Sequence, residues 1–103
     1  MERLRELDQE EEEASETEMP PMCRVVALNN DYTPRSFVEE LFMKFFGYTS
    51  WSASDKTAQI EASGSGIVGV YPRPVAEEKV KAADDYQRSS GVVVPVELRV
   101  EDA

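Results

Sequence analysis

The sequence predicts an α+β domain, a two-layer α/β sandwich in the order β-α-α-β-α-β, with a three-stranded sheet packed against three helices. Three observations lead there. Short apolar runs of strand length, rich in Val, occupy 22–28, 67–71 and 92–100, each bounded by Gly, Pro, Asn or Asp. Three segments with apolar residues at helical spacing lie between them. The composition also breaks at Pro20-Pro21: before it, Glu2, Glu6, Asp8, Glu10, Glu11, Glu12, Glu13, Glu16 and Glu18 stand against only Arg3 and Arg5. Of the formal net charge of −10, −7 therefore falls in residues 1–19 and −3 in the remaining 84. A self-repelling segment with so little apolar surface does not offset the cost of ordering. Residues 1–20 are thus expected to be a disordered acidic extension, and 21–103 the folded domain.

Element by element, Met22 to Leu28 reads as a buried strand, stopped by the turn residues Asn29-Asn30-Asp31. Thr33 is placed to cap the first helix, with Pro34 at its first position, where a missing N–H costs nothing. Phe37, Leu41 and Phe45, with Val38, Phe42 and Phe46, keep helical spacing until Gly47 supplies a stop. Residues 50–62 predict a second helix, weaker because Ser and Thr recur in it, with Ser50 or Ser52 as its cap. Trp51, at its start, is expected to be partly buried cover for the core. Ser63-Gly64-Ser65-Gly66 reads as a flexible connection into a strand over Ile67 to Tyr71, whose Gly69 marks a bulge or a close backbone approach. Pro74 opens a long third helix, about 74–90, with Val75, Val80, Ala83 and Tyr86 inward and the charged residues in water; Gly91 closes it. The last run, 92–100, predicts an edge strand, because Pro95 cannot donate to a ladder.

Composition argues for binding rather than catalysis. The chain has no His, which removes the commonest general base and metal ligand, and it has no Gly-x-Ser-x-Gly motif. Cys23, the single cysteine, lies in an apolar strand and reads as a reduced core residue, which fits a cytoplasmic setting. No metal, cofactor or catalytic residue is expected. No apolar run reaches the roughly 18–20 residues that span a bilayer, and an acidic N-terminus is unlike a targeting peptide. Nucleic acid is disfavoured as a partner because no basic face appears. The chain is expected to be a soluble monomer.

The stretch Asn29-Asn30-Asp31-Tyr32-Thr33-Pro34-Arg35-Ser36-Phe37-Val38, with Gly69-Val70-Tyr71 and Val75-Ala76-Glu77-Glu78-Lys79-Val80, resembles the ClpS family of adaptors for Clp AAA+ unfoldases. The resemblance spans roughly 22–98 without a gap. It implies a ClpS-like fold and a domain that binds the N-terminal domain of a Clp ATPase while recognising the N-termini of substrate proteins. An ammonium offers three donors and a positive charge, so it calls for carboxylate or amide oxygens, and an apolar first side chain calls for a dry pocket. By the resemblance, Asn29, Asn30, Asp31, Thr33 and Glu61 are the residues for the substrate amine. Arg35, Val38, Thr57, Ile60 and Val94 form the pocket wall, and Pro74, Glu77 and Lys79 dock the ATPase.

The departures are specific. Asn30 stands where the family has an Asp, Glu61 where it has a His, Arg35 where an apolar residue gates the pocket, and Thr57 where an apolar residue lines it. Pro74 replaces an acid at the docking helix. Three readings of the pocket stand. Glu61 takes over the charge lost at Asn30 and the amine site persists, or Arg35 pairs with Glu61 and closes the pocket, or the pocket reads other ligands. Arg35 and Thr57 are both expected to disfavour large apolar side chains by adding polar groups to the wall. The functions these imply are an adaptor delivering substrates with N-terminal signals, or a divergent protein-binding module with a regulatory role and no ordinary recognition of N-termini.

Overall fold

A computed structural model describes residues 21–103, and the acidic extension with the expectation made for it lies outside the described residues. The elements run β1 (Met22–Leu28), α1 (Arg35–Phe46), α2 (Ser50–Ser63), β2 (Ser65–Pro72), α3 (Arg73–Ser89) and β3 (Glu97–Asp102). The predicted order of strands and helices is the observed one. The sheet is antiparallel throughout, in the order β2-β1-β3.

Period-two alternation in β1 decides which face is covered. Cys23, Val25 and Ala27 are fully buried, whereas Arg24, Val26 and Leu28 on the opposite face are half-buried. Leu41, Phe42 and Phe46 of α1, Ala53 and Ile60 of α2, and Ala76 and Ala83 of α3 complete one core with Val68 and Val96. Tyr86 lies at its edge, stacked on Phe37 with ring centroids 5.9 Å apart and tilted against Phe45 at 5.5 Å.

Several boundaries differ from the sequence expectation, each for an identifiable reason. Thr33 does not cap α1; Pro34 does, because the Thr33 hydroxyl donates to the Val94 carbonyl instead. The cap of α2 is Thr49 rather than Ser50 or Ser52. Its hydroxyl accepts from the Ser52 N–H while the Ser52 hydroxyl accepts from the Thr49 N–H, a reciprocal capping box. Gly47 and Gly64 take left-handed angles, φ 76° and 94°, and end α1 and α2. The connection before β2 is shorter than expected, since Ser65 and Gly66 already pair with Leu28 and Ala27.

Gly69 sits at a true irregularity. Val25 pairs with Gly69 but Val26 pairs with Ile67, so Val68 is the extra residue of a bulge. A Cβ at Gly69 would stand 2.4 Å from the Tyr71 hydroxyl, so the absent side chain is what lets the Tyr71 ring lie back across the strand. Helix α3 begins at Arg73, one residue early, and places Pro74 inside its first turn. Its buried face is Ala76, Ala83 and Gln87; Val75, expected inward, is 38% exposed.

The expected strand over 92–100 is the largest correction. Only Glu97–Asp102 is strand. Residues 92–96 form a loop because their backbone is claimed from outside the sheet: buried Gln87 donates from Nε2 to the Val96 carbonyl (3.1 Å) and accepts from the Val96 N–H (2.7 Å). Pro95 lies outside β3, so it is not the cause of that strand's edge position. Trp51, expected as cover for the core, is 77% exposed.

Candidate functional site

The turn between β1 and α1 is built by one amide. Asn30 Oδ1 accepts from the N–H groups of Tyr32 and Thr33, both at 2.8 Å, which bends the chain into the helix. Its Nδ2 donates across to the carbonyls of Val94 (3.5 Å) and Pro95 (3.4 Å), long contacts that the Thr33 hydroxyl reinforces at Val94. Both ends of the Asn30 side chain are thus engaged within the fold, tying the turn to the loop before β3. A carboxylate at this position has no proton to offer those two carbonyls.

Behind the turn lies a cleft between β1, α1, α2 and that loop, lined by Ala27, Leu28, Asn29, Asn30, Thr33, Arg35, Val38, Phe42, Thr57, Ile60, Glu61 and Val96. The structure therefore brings together Asn29, Asn30, Thr33 and Glu61 of the expected amine site, with Arg35, Val38, Thr57 and Ile60 of the expected wall. It leaves out two. Asp31 is exposed on the turn and does not line the cleft, and Val94 is replaced as a lining residue by Val96, which the Gln87 contacts position. Val94 contributes its carbonyl instead, as the acceptor for Asn30 and Thr33.

Thr57 corrects a further expectation. The residue is 3% exposed and its hydroxyl donates to the Ala53 carbonyl one turn earlier at 2.7 Å. The polar atom is satisfied within α2, so Thr57 adds no unmet hydroxyl to the wall.

Arg35 spans the mouth. Its Nη1 lies 3.2 Å from Glu61 Oε1, its Nε 3.1 Å from Glu39 Oε2, and its Nη2 donates to the Ser54 carbonyl at 3.0 Å. One guanidinium thereby links α1 to α2 over an apolar floor of Val38, Phe42, Ile60 and Val96. The free space below it is about 20 Å³, room for a single water. An aromatic ring requires on the order of 150 Å³, the size of a cavity that accepts benzene.

The expected docking residues lie elsewhere, at the start of α3. Pro74, Val75, Glu77 and Glu78 are exposed. Glu77 Oε2 is 3.6 Å from Arg73 Nη1, and Arg73 also pairs with Asp102. Lys79 is set apart from Glu77 and half-buried: its Nζ donates to the Phe45 carbonyl at 3.3 Å and stands 5.2 Å from the Tyr71 ring centroid. Burial pushes the Tyr71 phenol above its ordinary value. Among the described residues no helix is long and apolar enough to cross a membrane.

The family model described as ATP-dependent Clp protease adaptor protein ClpS matches residues 18–100. The ClpS adapter protein of Alkalilimnicola ehrlichii is 39% identical over 80 residues, 78% of this chain and 76% of its own. That of Shewanella loihica is 42% identical over 81 residues, 77% of this chain and 79% of its own. Among solved structures, Agrobacterium tumefaciens ClpS2 bound to L-phenylalaninamide superposes with a TM-score of 0.75 at 31% identity, covering 82% of this chain and 99% of that one.

Proposed function

This chain belongs to the ClpS family of Clp protease adaptors, and on that footing we propose that it is a non-enzymatic adaptor. It docks on the N-terminal domain of a Clp AAA+ unfoldase and presents substrates marked at their N-terminus for ATP-dependent proteolysis. The phenylalaninamide bound by the Agrobacterium relative carries a free α-amine and an aromatic side chain, the chemistry of such a mark. Here Asn29 and Glu61 supply oxygens for the amine, and Val38, Ile60 and Val96 supply the apolar wall.

The observation that carries docking is the exposed start of α3, where Pro74 and Val75 offer apolar surface beside Glu77 and Glu78. Lys79, half-buried with its ammonium over the Tyr71 ring, adds the opposite charge. Charge pairs at such a surface contribute most where water is excluded on binding. Reversing Glu77 and Lys79 together is expected to weaken binding to the N-domain by about 1–3 kcal/mol, read by calorimetry alongside a melt to separate folding from docking. Unchanged affinity places the docking surface elsewhere.

A second reading has one specific observation in its favour. Arg35 leaves about 20 Å³ in the cleft, which suits a regulatory module that occupies the unfoldase without taking ordinary N-terminal signals.

A further inference from the structure

We infer that Arg35 is a tethered substitute for the substrate's α-ammonium, an internal cation that occupies Glu61 at the cleft mouth and must be displaced before a chain N-terminus enters. The inference rests on the adaptor reading above and specifies how its recognition site is regulated.

Three features of the geometry carry it. First, Arg35 offers Glu61 what an ammonium would, a positive charge with N–H donors, at 3.2 Å. Second, the lock is shallow. The side chains of Arg35 and Glu61 are both 44% exposed, and ion pairs in that setting hold only weakly. Third, Arg35 has somewhere to go. Glu39 lies four residues on along the same helix and moves with it, whereas Glu61 and Ser54 belong to α2. Swinging the guanidinium outward therefore breaks only the contacts to α2 and keeps the pair with Glu39.

The exchange conserves charge: one cation leaves Glu61 and another arrives. What drives it is the first side chain of the incoming peptide, which gains the apolar floor of Val38, Phe42, Ile60 and Val96 once the guanidinium has cleared. An apolar gate at position 35 would block space only. A guanidinium competes for the amine site as well, so recognition is attenuated in two ways at once.

The test uses the full chain and fluorescent peptides beginning with Phe, each with a free or an acetylated N-terminus, read by anisotropy. Arg35→Met is expected to bind the free peptide roughly 2- to 5-fold more tightly than the wild type, the range that one exposed ion pair can withhold. Acetylation is expected to abolish that gain, as is adding Glu61→Gln to Arg35→Met, with denaturant melts confirming that each variant folds. Arg35→Met binding no tighter than the wild type overturns the inference, as does an equal gain for free and acetylated peptides, which would make Arg35 a steric plug alone. Calorimetry of the wild-type chain with the N-domain reports the adaptor reading separately: docking without a gain in Arg35→Met sinks the lock and leaves the adaptor, and a gain without docking does the reverse.

Discussion

Residue 30 shows how one atom changes the meaning of a motif. The sequence identified Asn30 as an altered member of an amine site, but the structure uses its amide within the fold, with Oδ1 holding two backbone N–H groups and Nδ2 reaching two carbonyls. Those partners lie 64 and 65 residues away, so no local pattern reveals them. Restoring an acid here is therefore not a restoration. Asn30→Asp keeps the acceptor for the turn but sets a second carboxylate oxygen against the carbonyls of Val94 and Pro95. The variant is expected to lose about 1 kcal/mol in urea denaturation at neutral pH, without gaining affinity for free N-termini. Glu61 and Arg35 were more legible. A pairing between them was available from residue type and helix position, and the structure has it at 3.2 Å. Thr57 was misread because a side chain's polarity says nothing of where its hydroxyl points; at 3% exposure it had to find an internal partner and found Ala53.

At the level of elements, the order, number and approximate spans were legible because local signals agree with the fold: apolar spacing in α1, Gly stops at 47 and 64, and the strand run at 22–28. The run 92–96 was not legible. Val92-Val93-Val94 has strand propensity, yet a tertiary contact overrides it, since buried Gln87 pairs with the Val96 backbone much as a neighbouring strand would. Gln87→Leu is expected to cost about 2–4 kcal/mol, because it strands a buried N–H and a carbonyl. Amide exchange at Val96 should accelerate more than exchange in β1. Helix α3 also carries a titration signature. Burial raises the Asp84 carboxyl above its ordinary value, opposed in part by Arg88. A raised acid means that the folded state binds the proton more tightly than the unfolded one, so this group's contribution to stability declines as pH rises through the carboxylate range. Asp84→Asn is accordingly expected to raise the melting midpoint at pH 7 and to lose that advantage near pH 3. A variant destabilised at pH 7 would show that the Arg88 interaction outweighs the burial.

Across the whole molecule, the cleft and the proposed docking face stand at opposite ends of β1. Leu28 and Asn29 border the cleft, while Met22 pairs with Pro72 immediately before α3, a strand length of roughly 20 Å away. The acidic extension joins the domain at the docking end, for the Pro21 carbonyl accepts from the Arg73 N–H at 3.1 Å. The covalent link to the segment that carries most of the net negative charge is thus made beside α3. Long-range charge alters encounter rates more than it alters packed contacts, and its effect falls with ionic strength. Deleting residues 1–19 is therefore expected to flatten the salt dependence of the N-domain on-rate, measured by stopped flow between low and physiological ionic strength. Peptide affinity at the cleft should stay within about twofold, since long-range charge contributes little to packed contacts. Equal salt slopes for the full and shortened chains would show that the extension takes no part in the encounter. A loss of peptide binding on deletion would show instead that the extension reaches the cleft, and would remove the separation of the two ends on which the expectation rests.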